Sequence, residues 1–441
     1  VSADPTTIRV RYDAGHVMLS GAVEQELVIT AQTMLNQLLE TASQRSTDSI
    51  AIATGAYAID RVIKRTSDIN NECGIRTFRV VFEVADAAFW SAPDITEMLT
   101  DILWHLTGDT WLVSFSQRDM LYQTSSVQRL LGLKDPRPTR AALYSGGLDS
   151  AAGLANQVIS TDETYILLTV GHHPSIRSSS LHQVATLRNL LHPKPLHHAS
   201  FIVKFNGGVA GKMKAQETSQ RVRGLLFYTT AAVLAEACGI EEIEVFENGV
   251  GAINLPLTEG GMVDGLSTRG AHPGVLAKIG QLLSKTLDKP IRFSLPFLHS
   301  TKAEMLRTLA DRAHLPDWLK LSRSCIHSSL RISGKRHCGQ CAACIERRQA
   351  FRAAGITEDI RDYDFDLFGG ATPKEPGYLL TYLENARWWI TEHPRVRSRL
   401  ERHRILSDMT QLPLASIESL LMRHAKESLD TYGDLDLRDA A

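Results

Sequence analysis

The stretch Leu143-Tyr144-Ser145-Gly146-Gly147-Leu148-Asp149-Ser150 holds residue types that together could do chemistry. It lies between an expected strand and an expected helix. A pyrophosphate needs several converging backbone N–H donors, and paired glycines let a chain turn tightly against phosphate oxygens with no Cβ between. The helix that follows would aim its positive end at the anion. On this reading Ser145, Gly146, Gly147, Leu148, Asp149 and Ser150 form a nucleotide-binding set. The hydroxyls of Ser145 and Ser150 donate to phosphate, and Asp149 holds a Mg²⁺ that bridges phosphate oxygens. The turn lacks the GxxxxGK[ST] pattern associated with γ-phosphoryl transfer. The plainer alternative is an ordinary Gly-Gly turn at the end of a strand.

A second chemical cluster lies further along. Four of the six cysteines, Cys325, Cys338, Cys341 and Cys344, follow the spacing C-x12-C-x2-C-x2-C, whereas Cys73 and Cys238 stand alone. Two-residue gaps let successive thiolates turn towards one ion, and an upstream thiolate completes the tetrahedron that Zn²⁺ prefers. With all four positions filled by protein the site would be structural, its metal affinity contributing directly to folding. An iron–sulfur cluster is the rival occupant, and the ferredoxin-like run of cysteines that would favour it is missing. His327 and His337 are candidate substitute ligands, with solvated surface histidines as the simpler reading. Such clustering suits a reducing compartment better than a disulfide framework does.

These residues need a scaffold. From Ala141 onwards, apolar runs alternate with amphipathic helical patterns, which implies a parallel sheet covered on both faces. The expected strands are 141–144, 165–170, 201–205, 243–246 and 291–295, and the expected helices 150–158, 181–191, 220–237 and 275–287. A capping box, Thr301-x-x-Glu304, should open a further helix to about residue 313. Before this unit, residues 1–138 mix β-rich runs (8–10, 78–84, 111–115) with helical patterns at 24–39 and 95–106, and close on the proline-rich stretch 133–140. The tail from about residue 378 reads as helical, broken at Pro394 and Pro413. The 441 residues are 43% hydrophobic, enough for a sizeable core, and 48 Lys plus Arg nearly cancel 49 Asp plus Glu. No global field is available to hold a polyanion. Neither a secretory leader nor a membrane span is evident, so a cytoplasmic protein is expected.

Ser-Gly-Gly-x-Asp-Ser after a strand resembles the PP-loop ATP pyrophosphatases, which cleave ATP between the α and β phosphates and transfer AMP to a substrate oxygen. Together with Cys-Gly-x-Cys-x-x-Cys-x-x-Arg some 180 residues later, it is similar to QueC, the 7-cyano-7-deazaguanine synthase family. The resemblance covers about residues 139–354 and includes Arg221-Val-Arg-Gly-Leu-Leu-Phe-Tyr-Thr-Thr-Ala-Ala and residues 297–304 with Lys302. It implies an adenine nucleotide alpha hydrolase-like domain at 139–356 with a zinc knot at 325–344. An N-terminal α+β domain (1–138) and a helical C-terminal extension (357–441) would flank it. It also implies ATP, Mg²⁺ and Zn²⁺ as cofactors and adenylation of a 7-deazapurine carboxylate followed by attack of an amine. Catalytic roles would fall to Asp149, Arg221, Arg223 and Lys302, the basic residues neutralising charge on the departing pyrophosphate.

After the strand at 243 the chain departs from that family, with Glu247-Asn-Gly-Val-Gly-Ala-Ile-Asn-Leu-Pro256 and Ser267-Thr-Arg-Gly-Ala-His-Pro273 in place of the segment that holds the deazaguanine. Glu247, Asn248, Asn254, Arg269 and His272 become the candidate substrate-binding residues, because ligands settle at the carboxyl ends of parallel strands and a carboxylate with an amide reads a purine edge. Some of them could equally be turn formers. In length the chain resembles the enlarged QueC-like proteins of anti-phage systems, the QatC type, which implies attachment of the deazapurine to an amine of a partner protein docked on the N-terminal domain. Two other functions stay open. One is tRNA thiolation or another base modification, helped by the basic residues Arg323, Arg331, Lys335, Arg336, Arg347, Arg348 and Arg352. The other is a nucleotide-binding scaffold.

Overall fold

The computed structural model describes residues 6–13, 15–31, 42–65, 74–122, 136–171, 174–191, 194–205, 217, 219–255, 269–327, 336–369, 376–391 and 412–435. The first part of the chain runs β1 (Thr7–Asp13), β2 (His16–Gly21), β3 (Gln25–Ala31), α1 (Gln44–Val62), β4 (Thr77–Val84), α2 (Ala87–Trp90), α3 (Pro93–Thr107) and β5 (Thr110–Gln117). The central part continues with β6 (Arg140–Leu143), α4 (Leu148–Ser160), β7 (Tyr165–Gly171), α5 (Pro174–Leu190), β8 (Leu196–Phe205), α6 (Arg223–Ala237), β9 (Glu242–Val245), α7 (Gly249–Ile253), α8 (Pro273–Leu287) and β10 (Arg292–Ser294). Then come α9 (Lys302–Arg307), α10 (Leu315–Lys320), α11 (Ala342–Ala353), α12 (Pro376–Thr391) and α13 (Leu414–Tyr432).

The ten strands among the described residues belong to one sheet in the order β10-β9-β6-β7-β8-β3-β2-β1-β4-β5. The five central strands pair in parallel. Because β7 is buried on both faces, its sequence Tyr-Ile-Leu-Leu-Thr-Val-Gly is an apolar run without alternation. The first five strands join through β3, which lies antiparallel to β8 with Leu27 opposite Phe205 and Ile29 opposite Val203. One face is covered by α1, α3, α6 and α8, and their apolar side chains share a core with strands from both halves. The other carries α4, α9, α10 and α11 around Tyr144, Leu154, Tyr165 and Phe351.

Two local expectations are corrected. The helical pattern at 24–39 gives way to strand β3 over Gln25–Ala31, with residues 32–41 outside the described part. The β-branched Val28, Ile29 and Thr30 suit a strand that bridges β2 and β8, and pairing on both edges overrides a weak helical period. The helix opened by Thr301 ends at Arg307 instead of near 313. Its capping box is formed, Thr301 Oγ1 accepting from Glu304 N (3.2 Å) and Glu304 Oε2 from Thr301 N (2.9 Å). Helix α1, for which the sequence offered no expectation, is buried around most of its circumference, so it has no polar stripe to reveal its period.

The first half is locked to the centre by a buried charge network. Asp109 Oδ2 accepts from Arg65 (2.7 Å) and Arg76 (2.6 Å), and Arg76 also reaches Asp60 (2.6 Å). Asp60 in turn accepts from Val222 N at the start of α6 (3.1 Å). Among the described residues no helix is long and apolar enough to cross a membrane.

Candidate functional site

In the order β10-β9-β6 three parallel strands lie side by side, and their carboxyl ends feed the turn at 145–150, the Glu247–Asn248 pair and the approach to Lys302. That placement is where an open α/β sheet receives a ligand. Tyr144 N donates to Leu168 O (2.9 Å), continuing the sheet up to the turn. Behind the turn, Ser180 Oγ donates to Ser145 O (3.3 Å), while Gln183 Nε2 (3.1 Å) and Arg323 N (2.9 Å) donate to Gly146 O. With these carbonyls drawn backwards, planar trans peptides turn the N–H groups of Gly146 and Gly147 to the opposite side. Gly146 has φ 76°, and a Cβ there would meet Ser180 Oγ at 2.5 Å, so this position demands glycine on both counts. Gly147 caps α4 with an extended backbone. The two hydroxyls lie together, Ser145 Oγ 2.8 Å from Ser150 Oγ, with Gly147 N donating to Ser145 Oγ (3.2 Å).

Asp149, in the first turn of α4, meets the other two strand ends. Its Oδ1 accepts from Asn248 Nδ2 (2.9 Å), and its Oδ2 lies 3.1 Å from Lys302 Nζ. Asn248 is fixed as the N-cap of α7, Oδ1 accepting from Gly251 N (3.1 Å), which leaves its amide to bridge Asp149 and Glu247 Oε1 (3.2 Å). Lys302 also reaches Glu346 Oε2 (2.8 Å) on α11. Burial disfavours the Lys302 ammonium, but Asp149, Glu346 and Glu247 around it outweigh that cost and push its pKa up. Burial likewise raises the Glu346 carboxyl, yet Lys302 overrides it and holds the group down to about 2. Glu247 is pushed up to about 8, by burial first and then by the charge of Asp149. Three carboxyl groups surround one cation, an imbalance that a divalent metal ion would relieve; the turn, its hydroxyls and Asp149 are therefore a donor set that fits a magnesium-bound polyphosphate.

The remaining expected residues are dispersed. Arg223 opens α6 with its guanidinium over the Phe227 ring, 5.7 Å from the centroid. Arg221 is turned the other way, donating to Thr107 O (3.2 Å) beside Arg65, Asp109, Asp60 and Arg76. Its neighbours are those of the buried network in the first half, not the turn at 145–150. His272 is buried and serves as N-cap of α8, Nδ1 accepting from Gly274 N (3.2 Å). Arg269 lies just before it, near His105 of α3. Asn254 closes α7 in the left-handed region and lines a cavity of about 60 Å³ with Glu346, Tyr382, Asn385, Trp389 and His424. Residues 256–268 lie outside the described part.

The four cysteines converge. Ligand atoms of Cys325, Cys338, Cys341 and Cys344 all lie within 4.8 Å of one another, with Cys338 Sγ 3.8 Å from Cys344 Sγ. Four sulfurs each about 2.3 Å from one zinc ion would stand about 3.8 Å apart, so a potential four-cysteine zinc-binding cluster is present. Gly339 makes its knuckle at φ 88°, where a Cβ would collide with Phe365 O at 2.0 Å. Cys338 N points at Cys325 Sγ (3.4 Å) and Cys341 N at Cys338 Sγ (3.3 Å), N–H···S contacts that favour thiolates. Arg347, fully buried, ties this unit to the turn's support by donating to Ser322 Oγ (2.7 Å) and pairing with Glu358 (2.8 Å). Of the other expected ligands, His337 is buried against the Tyr363 ring.

Sequence reasoning did not single out Glu346, Gln183 or Tyr382. Glu346 sits inside the cysteine motif, between Cys344 and Arg347, and a helical projection of α11 was the one signal that could have aimed it away from the metal. For Tyr382 no local signal exists.

Residues 140–355 match the family model described as Queuosine biosynthesis protein QueC. The 7-cyano-7-deazaguanine synthases of Brucella ovis, Brucella canis and Brucella suis are each 31% identical to the chain over 105 residues, which is 23% of this chain and 42% of each relative. The chain thus spans about two fifths of the length of these curated relatives. No solved structure matches it.

Proposed function

We propose, from the match of residues 140–355 to the QueC model and the likeness to 7-cyano-7-deazaguanine synthases, that the chain is a QueC-like PP-loop protein that adenylates the carboxylate of a 7-deazapurine with ATP and passes the activated acyl group to an amine. The observation that carries the reading is the meeting of Asp149, Asn248 and Lys302 at the Ser-Gly-Gly turn, on three adjacent strand ends. Ser145, Gly146, Gly147, Leu148 and Ser150 would cradle the triphosphate. Asp149 would hold the magnesium ion, whose chemistry is to bridge and neutralise phosphate oxygens. Lys302 would stabilise the charge that develops on the leaving pyrophosphate, whereas Arg223 lies beside Tyr57 and Arg61 of α1. Glu247, held by Asn248 Nδ2, would read the edge of the base. A Glu247 carboxyl that keeps its proton near neutrality can donate as well as accept a hydrogen bond, which widens the donor and acceptor patterns it can match.

The acceptor we propose is ammonia. A second reading, an amine on a partner protein as in the enlarged relatives of anti-phage systems, is favoured by the five strands that extend the sheet beyond β8 and by the helices α12 and α13, which all lie outside the matched segment. An added mass on such a partner after incubation with ATP and the carboxylate separates the two. Among the described residues outside the cysteine cluster, Cys238 is unsuited to base thiolation, because burial pushes its thiol up to about 11; Cys73 lies outside the described part. Electrostatics disfavours RNA as well, since Arg347, Arg348 and Arg336 are engaged with Glu358, Asp366 and Asp362. Pyrophosphate release from MgATP in the presence of 7-carboxy-7-deazaguanine tests the proposal. Asp149→Ala should lower it at least about 100-fold, the scale of losing one preorganised electrostatic partner. An unchanged rate would reject the assignment.

A further inference from the structure

Lys302 is held by two carboxylates of different fate. Asp149 is the group that a magnesium ion would claim, and a lysine anchored there alone would lose its partner when nucleotide arrives. Glu346 is the second anchor, on α11 at 2.8 Å, and it has no place in the triphosphate cradle. A carboxylate on a side chain with three rotatable bonds orients a lysine only if it is itself fixed. The fixing comes from the tail: Tyr382, buried on α12, donates its hydroxyl to Glu346 Oε1 while Lys302 takes Oε2. Each oxygen of Glu346 therefore has one partner, one from the nucleotide-binding segment and one from a helix outside the matched residues 140–355. Beside this chain of contacts lies the cavity lined by Asn254, Trp389 and His424, and His424 is hydrogen-bonded to Gln349 one turn after Glu346 (3.2 Å). Helix α13 packs on α12 and supports it from behind through Leu420, Leu421 and Ala425.

We infer that Glu346 and Tyr382 are positioning residues for Lys302, so that the C-terminal helices set the lysine that meets the nucleotide phosphates. The inference rests on the reading of the turn as an ATP site and deepens it. An ammonium held by a fixed carboxylate stays aimed at the crevice when Asp149 turns to the metal. One held by a mobile carboxylate is free to follow Asp149 or to swing towards solvent.

Calorimetric titration of the full, zinc-loaded chain with MgATP tests this without any knowledge of the acceptor. Tyr382→Phe keeps the ring and removes only the donor, and is expected to weaken MgATP about tenfold, equivalent to about 1.4 kcal/mol. Lys302→Ala should weaken it at least as much, and adding Tyr382→Phe to Lys302→Ala should bring no further loss, because the tyrosine acts through the lysine. Glu346→Gln, of nearly the same shape, should reproduce the loss and carries the test if Tyr382→Phe does not fold. Wild-type affinity in both single variants would overturn the inference while leaving the ATP reading intact. A loss that persists undiminished in the Lys302→Ala background would also overturn it, as the mark of general damage. If the wild type itself takes up no MgATP, the reading of the turn fails and the inference falls with it.

Discussion

His198 on β8 is buried, its Nε2 2.8 Å from Thr169 Oγ1, which itself donates to Tyr144 O at the foot of the turn. Burial, reinforced by Arg188 and Arg177, pushes its pKa down to about 3. A depressed pKa means that the folded state resists the proton which the unfolded chain accepts near 6.5. Stability is therefore complete above that value and lost progressively as the pH falls towards 3. At pH 4 the penalty would be roughly 3 kcal/mol. Urea denaturation between pH 7 and 4 should show a steep decline for the wild type and a flatter one for His198→Gln, whose amide can hydrogen-bond Thr169 without titrating. Parallel slopes would contradict this. At the same scale, the shape of the turn was legible because it is local: Gly146 takes its positive φ and Ser145 meets Ser150 within one short span of chain. Arg221 was not, since its letter fits a phosphate site as well as it fits the buried pair Asp60 and Asp109, and only the packing of α6 on α1 decides between them.

Among the elements, the central strands were readable from apolar runs and the helices α3, α4 and α8 from amphipathic periods, because one-sided burial leaves its mark on the pattern. Helix α1 left no such mark, and β3 carried a misleading one that pairing with β2 and β8 overrode. The cysteine unit was legible from spacing alone, but its connection to the turn was not. Cys325 stands two residues after Arg323, whose N–H holds Gly146 O, and Arg347 of α11 holds Ser322 in the same strand of chain. A zinc ion held by the four cysteines would therefore brace the turn's rear support. Stripping zinc with a strong chelator is expected to lower the melting temperature by several degrees, as loss of a structural metal does, and to weaken MgATP measurably, with both recovered on adding zinc. Retention of full MgATP affinity in the stripped protein would contradict the link.

Across the whole molecule the sheet does not stop where the matched segment begins. Ten strands share it, and the network of Arg65, Arg76, Asp60 and Asp109 closes the first half onto the start of α6. Asp109 is fully buried between two arginines, so Asp109→Ala would remove the carboxylate that Arg65 and Arg76 share, leave Arg76 to Asp60 alone, and should cost about 3–5 kcal/mol in equilibrium denaturation. A change under about 1 kcal/mol would show that the network carries little of the fold. Such a joint could not be read from the sequence, because Asp60 and Val222 lie 162 residues apart and none of the charged partners belongs to a motif. The same is true of the tail, where Tyr382 and His424 reach the back of the Lys302 site from helices that, as letters, merely look amphipathic. The central claim is that these parts converge on nucleotide activation, and the most direct measurement is pyrophosphate formed from MgATP by the wild-type chain, with and without a 7-deazapurine carboxylate. Release that depends on the carboxylate and disappears in Asp149→Ala is the predicted result; no release under either condition, or equal release from the variant, would contradict the account.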